Sequence, residues 1–136
     1  MDLYLTLNIP LPITATSRSF IQYGSAQLMD RLLLVYVLDE KWLADRAEYL
    51  NLAVITDPWT RFEAIQAAAN NVLLQTGLGR RVRLKVVIFQ GQPRMAVGLA
   101  SSVPNDRWPM PPQHVIDSVK CVLGVHYEPM WLPESI

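Results

Sequence analysis

The fold of this chain is decided by residues 80–102, which read RRVRLKVVIFQGQPRMAVGLASS. Apolar side chains recur there at every second position, which is the period of a strand with one buried face. One face of the first strand carries Val82, Leu84, Val86 and Ile88, and the other carries Arg81, Arg83, Lys85, Val87 and Phe89. We therefore predict a first strand over residues 81–89.

A second strand follows the turn residues Gly91-Gln92-Pro93 and extends to about Ser102. In it Met95, Val97 and Leu99 alternate with the small residues Ala96, Gly98 and Ala100. The two strands should form a hairpin. We expect its small-residue face to leave room for a helix to pack closely.

Two helices flank the hairpin. Upstream, Asp57-Pro58 is a cap followed by a proline that fits the first helical turn, and Gly77 supplies the stop. The apolar stripe of this helix holds Phe62, Ile65, Ala69, Val72, Leu73 and Thr76. Downstream, Gln113 to Leu123 predicts a helix that ends at Gly124, with a stripe of Val115, Ile116, Val119, Val122 and Leu123.

The region before residue 57 is ambiguous. Leu32 to Leu38 fits a buried strand or part of a long helix, and we favour the strand, followed by a helix from Glu40 to about Leu50 capped by Asp39. Leu52 to Thr56 is a short candidate strand. Alternation of apolar residues also predicts a strand over Leu3–Ile9, and residues 13–23 give a weaker strand signal.

These elements predict an α+β fold in one domain spanning residues 1–136. We expect one mixed or mostly antiparallel sheet with about three helices packed mainly on one face.

Composition bounds the function. Hydrophobic residues make up 51% of the chain and charged residues only 18%, which is low for a globular protein and favours a homo-oligomer or a protein partner. The 12 basic and 12 acidic residues cancel, so no overall charge attracts polyanions. Prolines interrupt the apolar start and Cys121 is the sole cysteine, so we expect a cytoplasmic protein without export signal, membrane span or disulfide.

No motif for a nucleotide, a metal or a cofactor is present, and we expect none of these groups. His114, Asp117, Ser118 and Cys121 share the polar face of the last helix, where Asp117 or Ser118 could orient the imidazole. An alternative hypothesis is therefore a small cofactor-independent isomerase, lyase or hydrolase. Its catalytic residues would be His114 and Asp117, with Tyr36 or Tyr127 as a hydrogen-bond donor.

A basic patch suggests a third hypothesis: it consists of Arg80 and the basic residues of the hairpin, Arg81, Arg83, Lys85 and Arg94. On a strand face with Phe89, they could follow the backbone of a single-stranded nucleic acid. Neutral net charge weakens this hypothesis, because edge strands also carry basic residues simply to prevent unwanted pairing.

The C-terminal segment favours our leading hypothesis, a small binding or assembly module. Its large apolar residues, Tyr127, Met130, Trp131 and Leu132, belong to types enriched in interface cores, and the prolines among them lower the entropy lost on docking. The segment docks either on its own domain or on a neighbouring subunit, and the sequence leaves both open.

Overall fold

The structure is a computed structural model that describes residues 31–135. The strand predictions for residues 3–9 and 13–23 lie outside this range. Seven main elements follow in chain order: β1 (Leu32–Val37), α1 (Glu40–Tyr49), α2 (Pro58–Thr76), β2 (Arg83–Phe89), β3 (Gln92–Ser101), α3 (Gln113–Leu123) and β4 (Met130–Pro133). Short 3₁₀ turns occupy Gly79–Arg81 and Pro104–Asp106.

The four strands form one antiparallel sheet in the order β2-β3-β1-β4. β1 is a central strand between β3 and β4, so the strand interpretation of residues 32–38 is confirmed. Two strand-helix-strand crossovers flank one hairpin, which is the β-α-β-β-α-β topology of ferredoxin-like domains with a helix pair in the first crossover. The expected α+β fold is confirmed, and this topology by itself implies no function.

The predicted hairpin is present, with Phe89 opposite Gln92 as its last pair. The two residues between them, Gln90 and Gly91, both have positive φ, at 53° and 76°. Positive φ at both central positions defines the type I′ turn, whose twist matches that of the flanking strands.

The main core lies between the sheet and the three helices. Asp39 and Asp57 cap α1 and α2 as predicted, and Gly77 and Gly124 end α2 and α3 in the left-handed conformation. The stripe of α2 is dominated by Ala64, Ala68 and Ala69, and such small side chains let a helix approach its neighbours closely.

Phe62 does not belong to that buried stripe, contrary to the expectation from its helical position. It lies at the margin of the stripe, and its ring stacks on Trp59 at a centroid distance of 5.7 Å instead of entering the core. The candidate strand at Leu52–Thr56 is also absent, because this segment pairs with no strand among residues 31–135.

The other face of the sheet holds a smaller buried cluster of Leu33, Val35, Val87, Ala96 and Trp108. The prediction that a helix packs on the small-residue face of β3 is therefore wrong, because the helices cover the face that carries Val97 and Leu99. A break in register between Leu34 and Val35 inserts an extra residue in β3, which turns Ala100 toward the helices. Gly98 leaves room for Trp108 instead.

The sheet curls until its two edges meet at the end of β4. Glu134 forms an antiparallel bridge with Val87, and the Ser135 N–H donates to the Val86 carbonyl at 2.8 Å. The Glu134 carboxylate also pairs with Arg31 at 2.8 Å and with Lys85 at 3.4 Å. The last residues of the described chain are thus held between the residue before β1 and the strand β2. None of the helices in residues 31–135 has the length and apolar character needed to cross a bilayer.

Candidate interaction surface

The C-terminal segment docks on its own domain in this structure. β4 lies beside β1, with Trp131 opposite Leu34 and Met130 opposite Val35. Just before β4, the Tyr127 carbonyl accepts a hydrogen bond from the Tyr36 hydroxyl at 2.9 Å. Leu132 packs against the smaller cluster, whereas Tyr127, Met130 and Trp131 stay exposed, Trp131 at 41%. The segment closes the sheet and still presents part of its apolar surface to solvent.

A larger apolar surface lies where α1 connects to α2. We call it the connector surface, and it consists of the exposed large apolar side chains between residues 49 and 62: Tyr49, Leu50, Leu52, Val54, Trp59 and Phe62. Tyr49 is 85% exposed and Val54 77%. The sequence interpretation missed this surface, although a run of apolar residues after the end of the α1 stripe was a usable signal.

The connector between the helices owes its shape to local chemistry. α1 ends at Tyr49 with Leu50 as its C-cap, and the next residue, Asn51, adopts a left-handed φ of 57°, a conformation that asparagine tolerates better than most residues. α2 begins with a reciprocal capping box: the Asp57 carboxylate accepts from the Thr60 N–H at 2.8 Å, and the Thr60 hydroxyl accepts from the Asp57 N–H at 3.0 Å. Both ends of the connector are thereby fixed.

Between these ends the side chains alternate between the core and the solvent, as they do along a β-strand. Ala53 and Ile55 pack against the main core, while Leu52 and Val54 point outward. Within residues 31–135, the backbone N–H groups of Ala53, Val54 and Ile55 form no hydrogen bond. An extended, uncharged segment with free backbone donors is the kind of segment to which another strand can add.

The exposed aromatic pair at the start of α2 extends this surface. Trp59 is 65% exposed and Phe62 50%, and their rings are stacked with an interplanar angle of 28°. Taking roughly 200 Å² for a whole aromatic side chain, Tyr49, Trp59 and Phe62 together expose roughly 400 Å². With the three aliphatic side chains added, the summed exposed area of the six side chains is of the same order as the largest apolar patch of a typical monomer, roughly 300–600 Å².

The residues of the enzyme hypothesis do not form one acid-base group. His114 Nε2 lies 3.2 Å from Arg81 Nη1, whereas the Asp117 carboxylate accepts from the Gln113 amide at 2.9 Å. Burial, and then the nearby charge of Glu128, raise the pKa of Tyr36 to about 12, so its hydroxyl stays a proton donor to Tyr127. Among residues 31–135 no three His, Cys, Asp or Glu side chains are placed to hold a metal ion.

The basic residues of the nucleic-acid hypothesis divide into separate groups. Lys85 is neutralised by Glu134, and Arg94 donates to the Leu38 carbonyl at 3.3 Å. Arg83 instead stacks on Trp108, and Arg81 lies beside His114. Phe89 is partly buried at the far end of β2, six residues from Arg83. The four residues therefore do not line one continuous groove.

Comparison with family models, with curated proteins and with solved structures finds no match for this chain.

Proposed function

We propose that this chain is an assembly module that pairs with a second copy of itself through the connector surface. The observation that carries the proposal is the combination, within residues 49–62, of six exposed large apolar side chains and a segment, residues 53–55, whose backbone N–H groups form no hydrogen bond within residues 31–135. Either feature alone occurs on ordinary surfaces, but together they provide both the apolar contact and the hydrogen bonds of a strand pairing.

A second copy fits this surface because the surface can be its own partner. Segment Leu52–Ile55 of one copy can lie antiparallel to the same segment of the other, since a two-fold axis places identical segments in that relation. The segment carries no charge, so its pairing brings no like charges together. The zero net charge of the chain likewise adds no long-range repulsion between copies.

The available area agrees with a modest dimer. A standard interface buries about 800 Å² on each partner, and the exposed aromatic rings of the connector surface supply roughly half of that. Trp59 and Tyr49, near the two ends of the segment, are of the residue types that most often dominate binding energy. We therefore expect Trp59 and Tyr49 to be the main contacts.

The test is sedimentation equilibrium over a concentration series of the wild type and two matched tryptophan variants. Trp59→Ala should weaken the dimer by about 2 kcal/mol per copy, hence about a thousandfold for two copies. Trp131→Ala, in the C-terminal segment, should leave the dimer constant within about threefold, as expected for a residue outside the interface.

Two outcomes would overturn the proposal. A wild-type chain that stays monomeric at every concentration would remove self-association altogether. A dimer that Trp131→Ala dissociates and Trp59→Ala does not would move the contact to β4 and reject the connector surface.

A further inference from the structure

A second surface feature, independent of the connector, gathers arginines around one tryptophan. We call Arg80, Arg81, Arg83 and Arg107 the arginine cluster. The first two lie on the 3₁₀ turn after α2, Arg83 begins β2, and Arg107 directly precedes Trp108. All four side chains are exposed, while Trp108 is buried.

Trp108 is the anchor that holds these segments together. Its indole N–H donates to the Arg81 carbonyl at 3.2 Å, and its ring lies against Gly98 so closely that a Cβ there would be 2.6 Å from the ring. The Arg83 guanidinium stacks over the ring at 4.2 Å from the centroid, and Arg83 Nε donates to the Arg80 carbonyl at 3.3 Å. The backbone around the cluster is thus fixed before any ligand arrives.

The charges of the cluster are not neutralised within the described chain. The ion pairs found among residues 31–135 use Arg31, Lys41, Arg61, Lys85 and Lys120, and none of them uses a cluster arginine. The acids closest in sequence to Arg107 are engaged elsewhere: Asp106 with Arg31 and Ser101, and Asp117 with Gln113. His114 Nε2, beside Arg81, accepts a hydrogen bond from its guanidinium, which leaves the arginine charge in place.

We propose that the arginine cluster binds a chain of phosphate groups through its guanidinium N–H donors. Guanidinium matches phosphate in geometry and charge, and several of these groups held on a rigid backbone favour several linked phosphates over one. Trp108 is covered by Arg83 and buried, so it offers no ring on which a base could stack. Recognition therefore depends on phosphate and not on base sequence.

The site differs from the basic patch expected from sequence. Arg80, Arg81 and Arg83 remain in it and Arg107 joins it. Lys85 and Arg94 do not belong to it, because they already have partners. Arg107 belongs to the cluster through its position next to Trp108 in the chain, because Trp108 packs beside Arg81 and Arg83.

The experiment measures binding of a fluorescein-labelled single-stranded 20-mer of thymidine by fluorescence anisotropy, at several salt concentrations. Four phosphate contacts predict a slope of about −2.8 in a plot of log affinity against log salt. The double variant Arg80→Gln/Arg81→Gln should halve this slope and weaken binding at least tenfold at low salt. Arg61→Gln, which removes an exposed arginine at the other end of α2, should change neither quantity.

Competition with sodium tripolyphosphate distinguishes the source of the phosphates. Displacement at an equal phosphate concentration indicates a site for small polyphosphates, and resistance to displacement indicates a nucleic-acid backbone; both support the phosphate site. No binding at 20 mM salt, or equal losses in Arg80→Gln/Arg81→Gln and Arg61→Gln, would overturn it. The double variant should keep the wild-type circular dichroism spectrum and dimer constant, which separates this test from that of self-association.

Discussion

Replacing Gly98 with alanine tests how closely Trp108 packs on the sheet. The backbone of Gly98 has no left-handed φ, so alanine meets no conformational penalty there. Its Cβ, however, would lie 2.6 Å from Trp108 Cη2, whereas ordinary contact begins at 3.4 Å. The indole must therefore move by about 0.8 Å. That movement disturbs both the hydrogen bond to the Arg81 carbonyl and the stacking of Arg83.

The magnitude follows from these contacts. Overpacking of a filled site costs about 1–3 kcal/mol, and a weakened buried hydrogen bond adds about 1 kcal/mol. Alanine also lowers the conformational entropy of the unfolded chain, which stabilises the folded state by about 0.5–1 kcal/mol and offsets part of this cost. We expect Gly98→Ala to lower the free energy of unfolding by about 1–3 kcal/mol, measured by urea unfolding followed by far-ultraviolet circular dichroism.

A double-mutant cycle identifies the cause. In a Trp108→Ala background the clash is gone, so Gly98→Ala should be neutral or slightly stabilising there. The coupling between the two substitutions should reach about 2 kcal/mol. A Gly98→Ala protein within about 0.5 kcal/mol of wild type, or an equal cost in both backgrounds, would refute the proposed packing of Trp108.

Two further predictions concern Tyr36 and Asp57. Burial raises the pKa of Tyr36 from 10.0 to about 12, so the folded state holds this proton more tightly; the resulting stability is complete below pH 10 and lost as the pH rises to about 12. Wild type should lose about 2 kcal/mol more than Tyr36→Phe over that interval in urea unfolding, and parallel losses would contradict this assignment. Asp57→Ala removes one half of the capping box and should lower the free energy of unfolding by about 1 kcal/mol, whereas Asp57→Asn, which keeps an acceptor, should cost a few tenths. Equal costs for the two Asp57 variants would argue against the capping role.

Much of the fold was predictable because it depends on local rules. The hairpin follows from period-2 alternation around Gly91, and the bounds of α2 follow from Asp57-Pro58 and Gly77. Residues 32–38 were ambiguous because a strand buried on both faces reads as a continuous apolar run. Their central position in the sheet, with Leu34 and Val35 in different clusters, explains that pattern.

The errors come from long-range packing. The small-residue face of β3 packs against a tryptophan from a later loop and not against a helix. No sequence pattern around Gly98 indicates that Trp108 is its partner. Phe62 matches the helical period of the α2 stripe but leaves it to stack on Trp59. Periodicity predicts which residues share a face, but not where that face stops being covered.

The candidate surfaces were only partly visible in the sequence for the same reason. Composition indicated excess apolar surface, and the large apolar residues of the C-terminal segment favoured an interface at Trp131. In the structure Trp131 lies on β4, which pairs with β1 of its own domain. The connector surface was missed because Leu52 to Ile55 resembles a strand, and a strand is expected to find a partner within its own sheet. That its N–H groups have no partner in the described part of the chain becomes evident only when the sheet order is known.

Amide hydrogen exchange at two protein concentrations tests the central claim of self-association most directly. The amides of Ala53, Val54 and Ile55 should exchange fast in dilute protein, because they form no hydrogen bond within residues 31–135. As the concentration rises, the amides on the paired edge, either Val54 or both Ala53 and Ile55, should become protected. The amides of β4 should not change between the two concentrations. Exchange at residues 53–55 that is the same at both concentrations, whether fast or slow, would contradict pairing of two copies through the connector surface.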